Sequence, residues 1–154
     1  MWQRKQTIFL AITGALMVLM IFFPAWVAEE SGIRRELYPL HYSVTEGGVK
    51  TTVYFPFALS ALLAAAAATI AFMEIGRFEN RLAQIKMGAL NSLLMAGSLG
   101  WLVYKAIGLI EEHQMAGQYG LSLWLPAGAM ISNMIANRFI RRDEKLVRDA
   151  DRIR

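Results

Sequence analysis

The chain has 154 residues, of which 56% are hydrophobic and 18% charged, and its mean hydropathy is +0.37. Four apolar stretches of about 20 residues account for this composition, which is unusual for a soluble domain. The absence of cysteine excludes disulfides, thiolate metal sites and a cysteine nucleophile. The net charge of +4 does not indicate a nucleic-acid partner, because the basic residues lie almost entirely at the ends of the apolar stretches.

Each apolar stretch is long enough to cross a hydrocarbon core about 30 Å thick. The sequence therefore predicts an all-α membrane protein, a four-transmembrane-helix bundle that forms a single domain over residues 1–154. The predicted spans cover residues 7–27, 53–73, 87–110 and 121–140. We do not expect the first span to be a cleaved secretory signal, because bulky Phe22, Phe23 and Trp26 occupy positions where a cleavage site needs small residues.

The outer loop between the first two spans, residues 28–52, is the longest predicted connection. Residues 42–45 and 49–54 flank Glu46-Gly47-Gly48, which predicts a small β-hairpin with a glycine turn. A two-stranded ribbon is marginally stable alone. We therefore expect support from the short connection over residues 111–119 or from a partner.

Lysine and arginine predict the orientation in the membrane. The N-terminal leader holds two of them, the connection after the second span three, and the C-terminal end from Arg138 onward seven. The opposite side holds only Arg34, Arg35 and Lys50, so the ratio is 12 to 3. Because cytoplasmic loops are enriched in basic residues, this ratio predicts a multi-pass protein with both termini in the cytoplasm.

The tail, residues 141–154, repeats apolar residues near helical spacing and places Glu144 four residues before Arg148. This pattern predicts an amphipathic cytoplasmic helix. We expect the tail and the connection after the second span to pack on each other or on anionic phospholipids, and they are candidate contact sites for another protein; a merely solvated basic tail is the alternative. The basic residues in this hypothesis are Arg77, Arg81, Arg141, Arg142, Arg148 and Arg152.

Small residues predict where the helices contact one another, since helices in a bilayer associate through close packing and a few hydrogen bonds. The third span carries a stripe of small residues at four-residue spacing, and the second and fourth spans carry shorter ones. The predicted packing residues are Gly88, Ser92, Ala96 and Gly100, with Ala64 and Ala68 in the second span and Ser132 in the fourth. The alternative is that such residues are simply common in membrane helices.

Three amide residues and one lysine lie well inside the predicted spans. Asn91, Asn133 and Asn137 lie at comparable depth, and the hypothesis of hydrogen bonds between helices is favoured over a ligand or ion site, because no charge accompanies the amides. Lys105 lies about five residues from the outer end of its span, where its stem can reach the interface. The alternative for Lys105 is an ion pair with Glu111, Glu112 or a neighbouring subunit.

No sequence pattern predicts catalysis, a cofactor or a metal site. His41 and His113 are the only histidines and both fall in the outer connections, so no axial haem ligand lies inside the predicted bundle. No Asp or Glu lies in the middle of a predicted span, which leaves a proton relay without its usual carriers. Phosphate-binding and nucleophile motifs are also absent from the sequence, so we expect no enzyme activity.

Three segments carry a resemblance to a known family. They are Gln3-Arg4-Lys5-Gln6-Thr7 before the run ending in Phe22-Phe23-Pro24, the loop Arg77-Phe78-Glu79-Asn80-Arg81, and the ending that begins Arg141-Arg142-Asp143-Glu144. They resemble a domain-of-unknown-function family of small four-helix inner-membrane proteins typical of Bacteroidota. The resemblance covers nearly the whole chain. It implies four spans and a cytoplasmic tail in the bacterial inner (plasma) membrane, and it implies no activity.

The favoured functional hypothesis is an accessory or structural subunit of a larger bacterial inner-membrane complex, with other integral membrane proteins as partners. A small oligomeric channel or transporter is the alternative, and a lipid-handling membrane protein or enzyme is a further one. Ionisable residues at membrane depth discriminate among these hypotheses, because transport and catalysis usually need them. Only Lys105 meets that condition in the predicted spans.

Overall fold

The computed structural model describes residues 5–77 and 80–151, with side chains as far as residue 149. Its four α-helices are α1 (Lys5–Met20), α2 (Leu59–Gly76), α3 (Arg81–His113) and α4 (Trp124–Asp151). Its five strands are β1 (Trp26–Glu30), β2 (Ile33–Leu37), β3 (Tyr42–Glu46), β4 (Val49–Val53) and β5 (Gln118–Tyr119). A short 3-10 turn, Leu121–Leu123, leads into α4.

The helices pack side by side, and each contacts two others. Helix α1 packs against α2 and α4, and α3 packs against the same two helices. Local sequence fixes the ends of α3: the side chain of Asn80 accepts a hydrogen bond from the backbone N–H of Ala83, and Gln114 adopts a left-handed conformation after the last turn. With 33 residues, α3 is about 50 Å long.

The strands form one antiparallel sheet in the order β4-β3-β2-β1-β5. Two tight turns connect its first four strands, and in each turn both central residues have positive φ: Ser31 and Gly32 in one, Gly47 and Gly48 in the other. Such turns match the twist of paired strands. The sheet lies at the end of the helices where α1 and α3 finish and α2 and α4 begin.

One hydrophobic core joins the sheet to the helices. Trp26 and Leu37 from the sheet are fully buried in the same cluster as Met17, Met20 and Leu102 from the helices. Gly117 lies so close to the Trp26 indole that a Cβ there would overlap the ring, so the indole requires glycine at this position. The sheet is therefore packed as part of the helical core rather than carried on a loose loop.

Hydroxyl groups link the helices inside this core. Ser60 of α2 and Ser98 of α3 each donate to the other's backbone carbonyl, at 3.0 and 2.9 Å. Ser122 donates to the carbonyl of Met20 at 2.9 Å, and Thr13 of α1 lies 3.4 Å from the carbonyl of Ala129 in α4. Because the acceptors are backbone atoms, these bonds fix how far one helix can slide along another.

The prediction of an all-α bundle with four spans is wrong. The described chain contains a five-stranded sheet, and two of its helices, α2 and α3, are long and apolar enough to cross a membrane. The described part of α1 has 16 residues and is about 24 Å long; it ends at Met20, and Trp26 and Val27 at the end of the predicted first span belong to β1. Helix α4 is long enough but not apolar enough to cross a membrane, because Asn133, Asn137 and Arg138 interrupt its apolar part.

The predicted hairpin is present as β3 and β4, paired from Tyr42 with Val53 to Glu46 with Val49. The connection over residues 111–119 contacts the sheet, as expected, and neighbouring strands add further support. The pair continues into β2 and β1, and the connection between α3 and α4 reaches the sheet at β1 through β5. Residues 26–37, predicted as the end of a span and a loop, thus form half of the sheet.

Candidate functional site

The free edge of the sheet is formed by β4. All five of its residues are exposed, and within the described chain only β3 pairs with it. The exposed aromatic side chains of Tyr54 and Phe55 follow directly, and Phe55 is 85% exposed. Antiparallel hairpin geometry directs the backbone N–H and C=O groups of Lys50 and Thr52 away from β3, since these residues form the non-hydrogen-bonded pairs of the ladder. This edge can accept another strand.

The outer part of the sheet carries its own ion pairs. Glu36 on β2 lies 2.7 Å from the Arg34 guanidinium and 4.0 Å from the Lys50 ammonium. The hydrogen bond to Glu36, followed by its charge, raises the pKa of Arg34. The nearly buried carboxylate therefore has cationic partners and stabilises the β2–β3–β4 part of the sheet without closing its edge.

Two histidines contact tyrosines where the sheet meets the helices. His41 stacks on Tyr38 with ring centroids 4.8 Å apart, and its burial, followed by the charge of Lys50, lowers its pKa. His113, at the end of α3, lies 3.4 Å from the hydroxyl of Tyr42 on β3, whose pKa is raised mainly by burial. Among the described residues these histidines join no cluster of metal ligands.

A second group of polar residues lies inside the helices, at the end opposite the sheet. We name Glu74, Gln84, Asn91 and Asn133 the internal polar cluster; each is at most 1% exposed. Gln84 donates to the backbone carbonyl of Glu74 at 2.8 Å, which joins α3 to α2. Within the described chain, both carboxylate oxygens of Glu74, the side-chain oxygen of Gln84 and both amide atoms of Asn91 have no hydrogen-bond partner.

Sequence reasoning missed Glu74 and Gln84. Glu74 lies one residue beyond the predicted second span, so its carboxylate was treated as part of a cytoplasmic connection. The structure extends α2 to Gly76 and buries Glu74 completely. The available signal was a single Glu between Met73 and Ile75, since an isolated charge in an apolar helix indicates a group that faces the protein interior.

The predicted asparagines occupy different environments. Asn133 donates to the carbonyl of Gly88 and to the Ser92 hydroxyl, both at 2.9 Å, so one amide joins α4 to α3. The amide of Asn137 packs directly on Gly88, where any Cβ would overlap it. Asn91 faces the core without forming a bond to another described residue. Of the three amides, Asn133 thus makes an interhelical hydrogen bond, whereas no hydrogen bond of the Asn91 side chain is present among the described residues.

Some of the predicted packing residues lie in contacts between helices, and others are exposed. Ala64 and Ala68 are buried in α2, and Ser132 donates to the carbonyl of Phe9 at 2.8 Å. On α3, Gly88 is buried and Ser92 half-buried, but Ala96 and Gly100 are exposed. A Cβ at Gly100 would meet no atom of the described chain within 4 Å. The expected contact along the whole stripe is therefore limited to its Gly88 end.

Lys105 packs among aromatic rings. Its ammonium lies 4.9 Å from the ring centroid of Trp101, 5.4 Å from that of Tyr104 and 5.9 Å from that of Phe57. The described residues include no carboxylate within ion-pair distance of it. Among the described residues, cation–π contacts thus stand where the alternative interpretation placed an ion pair with Glu111 or Glu112.

Five of the six predicted cytoplasmic contact residues are described, and these five lie at the end of the molecule that is opposite the sheet. Arg77, Arg141, Arg142 and Arg148 are exposed, Arg81 is half-buried at the start of α3, and Arg152 lies outside the described residues. The described part of α4 continues as a helix through the tail to Asp151, as the amphipathic pattern predicts.

A family model for a domain of unknown function, DUF4293, matches residues 2–153. The chain belongs to the DUF4293 family. This membership confirms the resemblance noted in the three sequence segments, and the family description carries no activity. No curated protein matches this DUF4293 chain.

Proposed function

We propose that this DUF4293 chain is an accessory subunit of a larger assembly in the bacterial inner membrane, where it presents the free edge of its sheet to a partner protein and performs no catalysis itself. The observation that carries the proposal is the combination of an open, fully exposed β4 with a sheet packed into the helical core. A rigid sheet edge with no neighbouring strand can form backbone hydrogen bonds with an extended segment of another polypeptide, which then becomes a further strand of the sheet.

Two features support a membrane location. Helices α2 and α3 are long and apolar enough to span a bilayer. Large apolar side chains also point outward from the helices: Leu62, Leu93, Ile131 and Met134 are each at least 60% exposed. Exposed apolar surface on this scale fits lipid better than water. The ratio of 12 to 3 basic residues supports placing the sheet outside and the α2–α3 turn in the cytoplasm.

Cysteine labelling tests this orientation directly, because the chain has no cysteine of its own. Thr51 on β4 and Lys145 on α4 are both exposed and lie toward opposite ends of the molecule. Thr51→Cys should react with an impermeant thiol reagent in cells whose outer envelope is permeable, and Lys145→Cys should react only after lysis. The reverse pattern would contradict the proposed orientation.

Photo-crosslinking combined with a backbone change tests the edge. A photoreactive residue at Lys50 should crosslink to one segment of a different polypeptide, identified as a peptide by mass spectrometry. Thr52→Pro removes an N–H that points away from β3. An edge strand tolerates proline at such a position, so the fold should persist while the crosslink is abolished. Thr52→Val keeps the N–H and should preserve it. Crosslinks only between copies of this chain would replace the proposed partner with a homo-oligomer.

A small oligomeric channel or transporter is the second candidate, and the internal polar cluster favours it. Glu74 is a fully buried carboxyl group inside one of the candidate spans. Ionisable groups in such positions are typical of transport pathways. Flux of protons or monovalent cations in reconstituted vesicles, abolished by Glu74→Gln, would favour transport over the accessory role.

A further inference from the structure

A groove with a volume of about 560 Å³ runs between α3 and α4 toward the end of the helices opposite the sheet. Its apolar wall is formed by Ile85 and Ala89 of α3 and by Met134 of α4. Ala89 and Met134 are exposed, so the wall is open to the surroundings of the helices. The groove is therefore accessible from the side that would face lipid.

Two guanidinium groups line the same groove. Arg138 and Arg141 are one helical turn apart on α4, and both are exposed. Over residues 5–77 and 80–149, no carboxylate lies within ion-pair distance of either one. A free anion can thus bridge the two groups, because guanidinium binds phosphate oxygens through paired N–H donors.

Two polar side chains complete the lining. Asn137 belongs to it, but its side-chain oxygen is buried and its amide packs on Gly88, so this oxygen does not face the groove. Ser92, also in the lining, already donates to the Gly88 carbonyl and accepts from Asn133. The groove therefore offers an apolar wall and two positive charges.

We propose that this groove binds one anionic phospholipid of the inner leaflet, such as a phosphatidylglycerol. The phosphate bridges Arg138 and Arg141, and an acyl chain lies along Ala89 and Met134. The proposal rests on the membrane location proposed above. It differs from general attraction of a basic tail to the membrane because it assigns the lipid to one groove with a defined wall.

Native mass spectrometry of the detergent-solubilised full-length chain, titrated with dioleoyl-phosphatidylglycerol, tests the charged part of the groove. The wild type should retain one such lipid per chain, in preference to the phosphatidylcholine of the same acyl composition. Arg141→Gln should weaken retention by about fivefold or more, since one exposed phosphate contact is lost. Arg142→Gln removes the same charge from the next residue, which points about 100° away around the helix, and should leave retention unchanged.

A second pair of variants tests the apolar wall. Ala89→Trp fills the groove without changing any charge and should reduce lipid retention as strongly as Arg141→Gln. Leu90→Trp places the same bulk at a neighbouring exposed position outside the groove and should have no effect. Equal weakening by Arg141→Gln and Arg142→Gln, or full retention by Ala89→Trp, would overturn the proposal.

Alkaline carbonate extraction of native membranes distinguishes failure of the groove proposal from failure of the proposed function. A chain that resists extraction but shows no preference for phosphatidylglycerol contradicts the groove proposal alone. A chain released by carbonate contradicts the membrane location and, with it, both proposals.

Discussion

The buried carboxylates at the two ends of the molecule differ in their partners. At the sheet end, the nearly buried Glu36 is paired with Arg34 and Lys50, and each inner strand is hydrogen bonded on both sides. At the other end, the fully buried carboxylate of Glu74 has no partner among the described residues. Both ends contain further unpartnered buried polar atoms, so the difference in stability is expected at the carboxylates, since an unpaired buried charge costs free energy.

The largest effect is expected at the junction between the two regions. Trp26 is fully buried and contacts both the sheet and the helices. Trp26→Ala should lower the free energy of unfolding by about 3–5 kcal/mol, because it removes a large core side chain and leaves a cavity. Denaturant unfolding in detergent micelles measures the change. A loss below about 1 kcal/mol would show that the sheet is not coupled to the helical core.

The same substitution at the two carboxylates should give opposite signs. Glu74→Leu should raise the free energy of unfolding by about 1–3 kcal/mol, because it removes an unsatisfied buried group. Glu36→Leu should lower the free energy of unfolding, because it leaves Arg34 and Lys50 without their partner. Paired thermal unfolding curves in one detergent provide the measurement. Destabilisation by both variants would mean that Glu74 has a partner in the folded protein.

Two glycines on α3 allow the same substitution to be compared at a packed site, Gly88, and at an open site, Gly100. Gly88→Ala should destabilise the protein by about 1–3 kcal/mol, since its Cβ would overlap the Asn137 amide. Gly100→Ala should be neutral or stabilise by up to about 1 kcal/mol, because alanine favours helix and the site is open. Melting temperatures of the two variants rank them. Equal destabilisation would place another chain against Gly100.

The smallest effect is a pH dependence at the sheet end. Burial lowers the pKa of His41 below its ordinary value of 6.5, so the unfolded chain binds this proton more readily than the folded one. The stability contributed by neutral His41 is complete above pH 6.5 and declines as the pH falls through 6.5 toward the lower folded pKa. His41→Asn should flatten this slope in unfolding curves between pH 5 and pH 8, and an unchanged slope would contradict the assignment.

The sequence predicted the part of the sheet with the clearest turn signal. Gly47-Gly48 between two β-prone runs indicates a two-residue hairpin turn, and β3 and β4 have that turn. Ser31-Gly32 gives the same signal for β1 and β2 but was overlooked, because Trp26-Val27-Ala28 reads as the end of an apolar span. Apolar residues that enter a sheet core cannot be told from the end of a membrane helix by hydropathy alone.

Helical geometry explains the stripe on α3. A spacing of four residues advances by about 400° around an α-helix, so each step drifts by about 40°. From Gly88 to Gly100 the drift reaches about 120°, which carries the stripe from the core to the exposed surface. The buried face instead alternates spacings of three and four through Gln84, Gly88, Asn91, Met95 and Ser98. A constant spacing of four residues therefore identified Gly88 as a contact residue, but it did not identify the rest of the buried face.

The length of α3 has a mechanical consequence. The helix contains no proline and is continuous over its 33 residues, so it behaves as one stiff rod of about 50 Å. One end begins at Arg81 beside the internal polar cluster, and the other ends at His113 against Tyr42 of the sheet. A tilt of about 10° around one end of such a rod displaces the other by about 9 Å. Strain applied to the sheet by a bound polypeptide would thus reach the far end of the helices as a lever movement, with no need for a diffusible messenger.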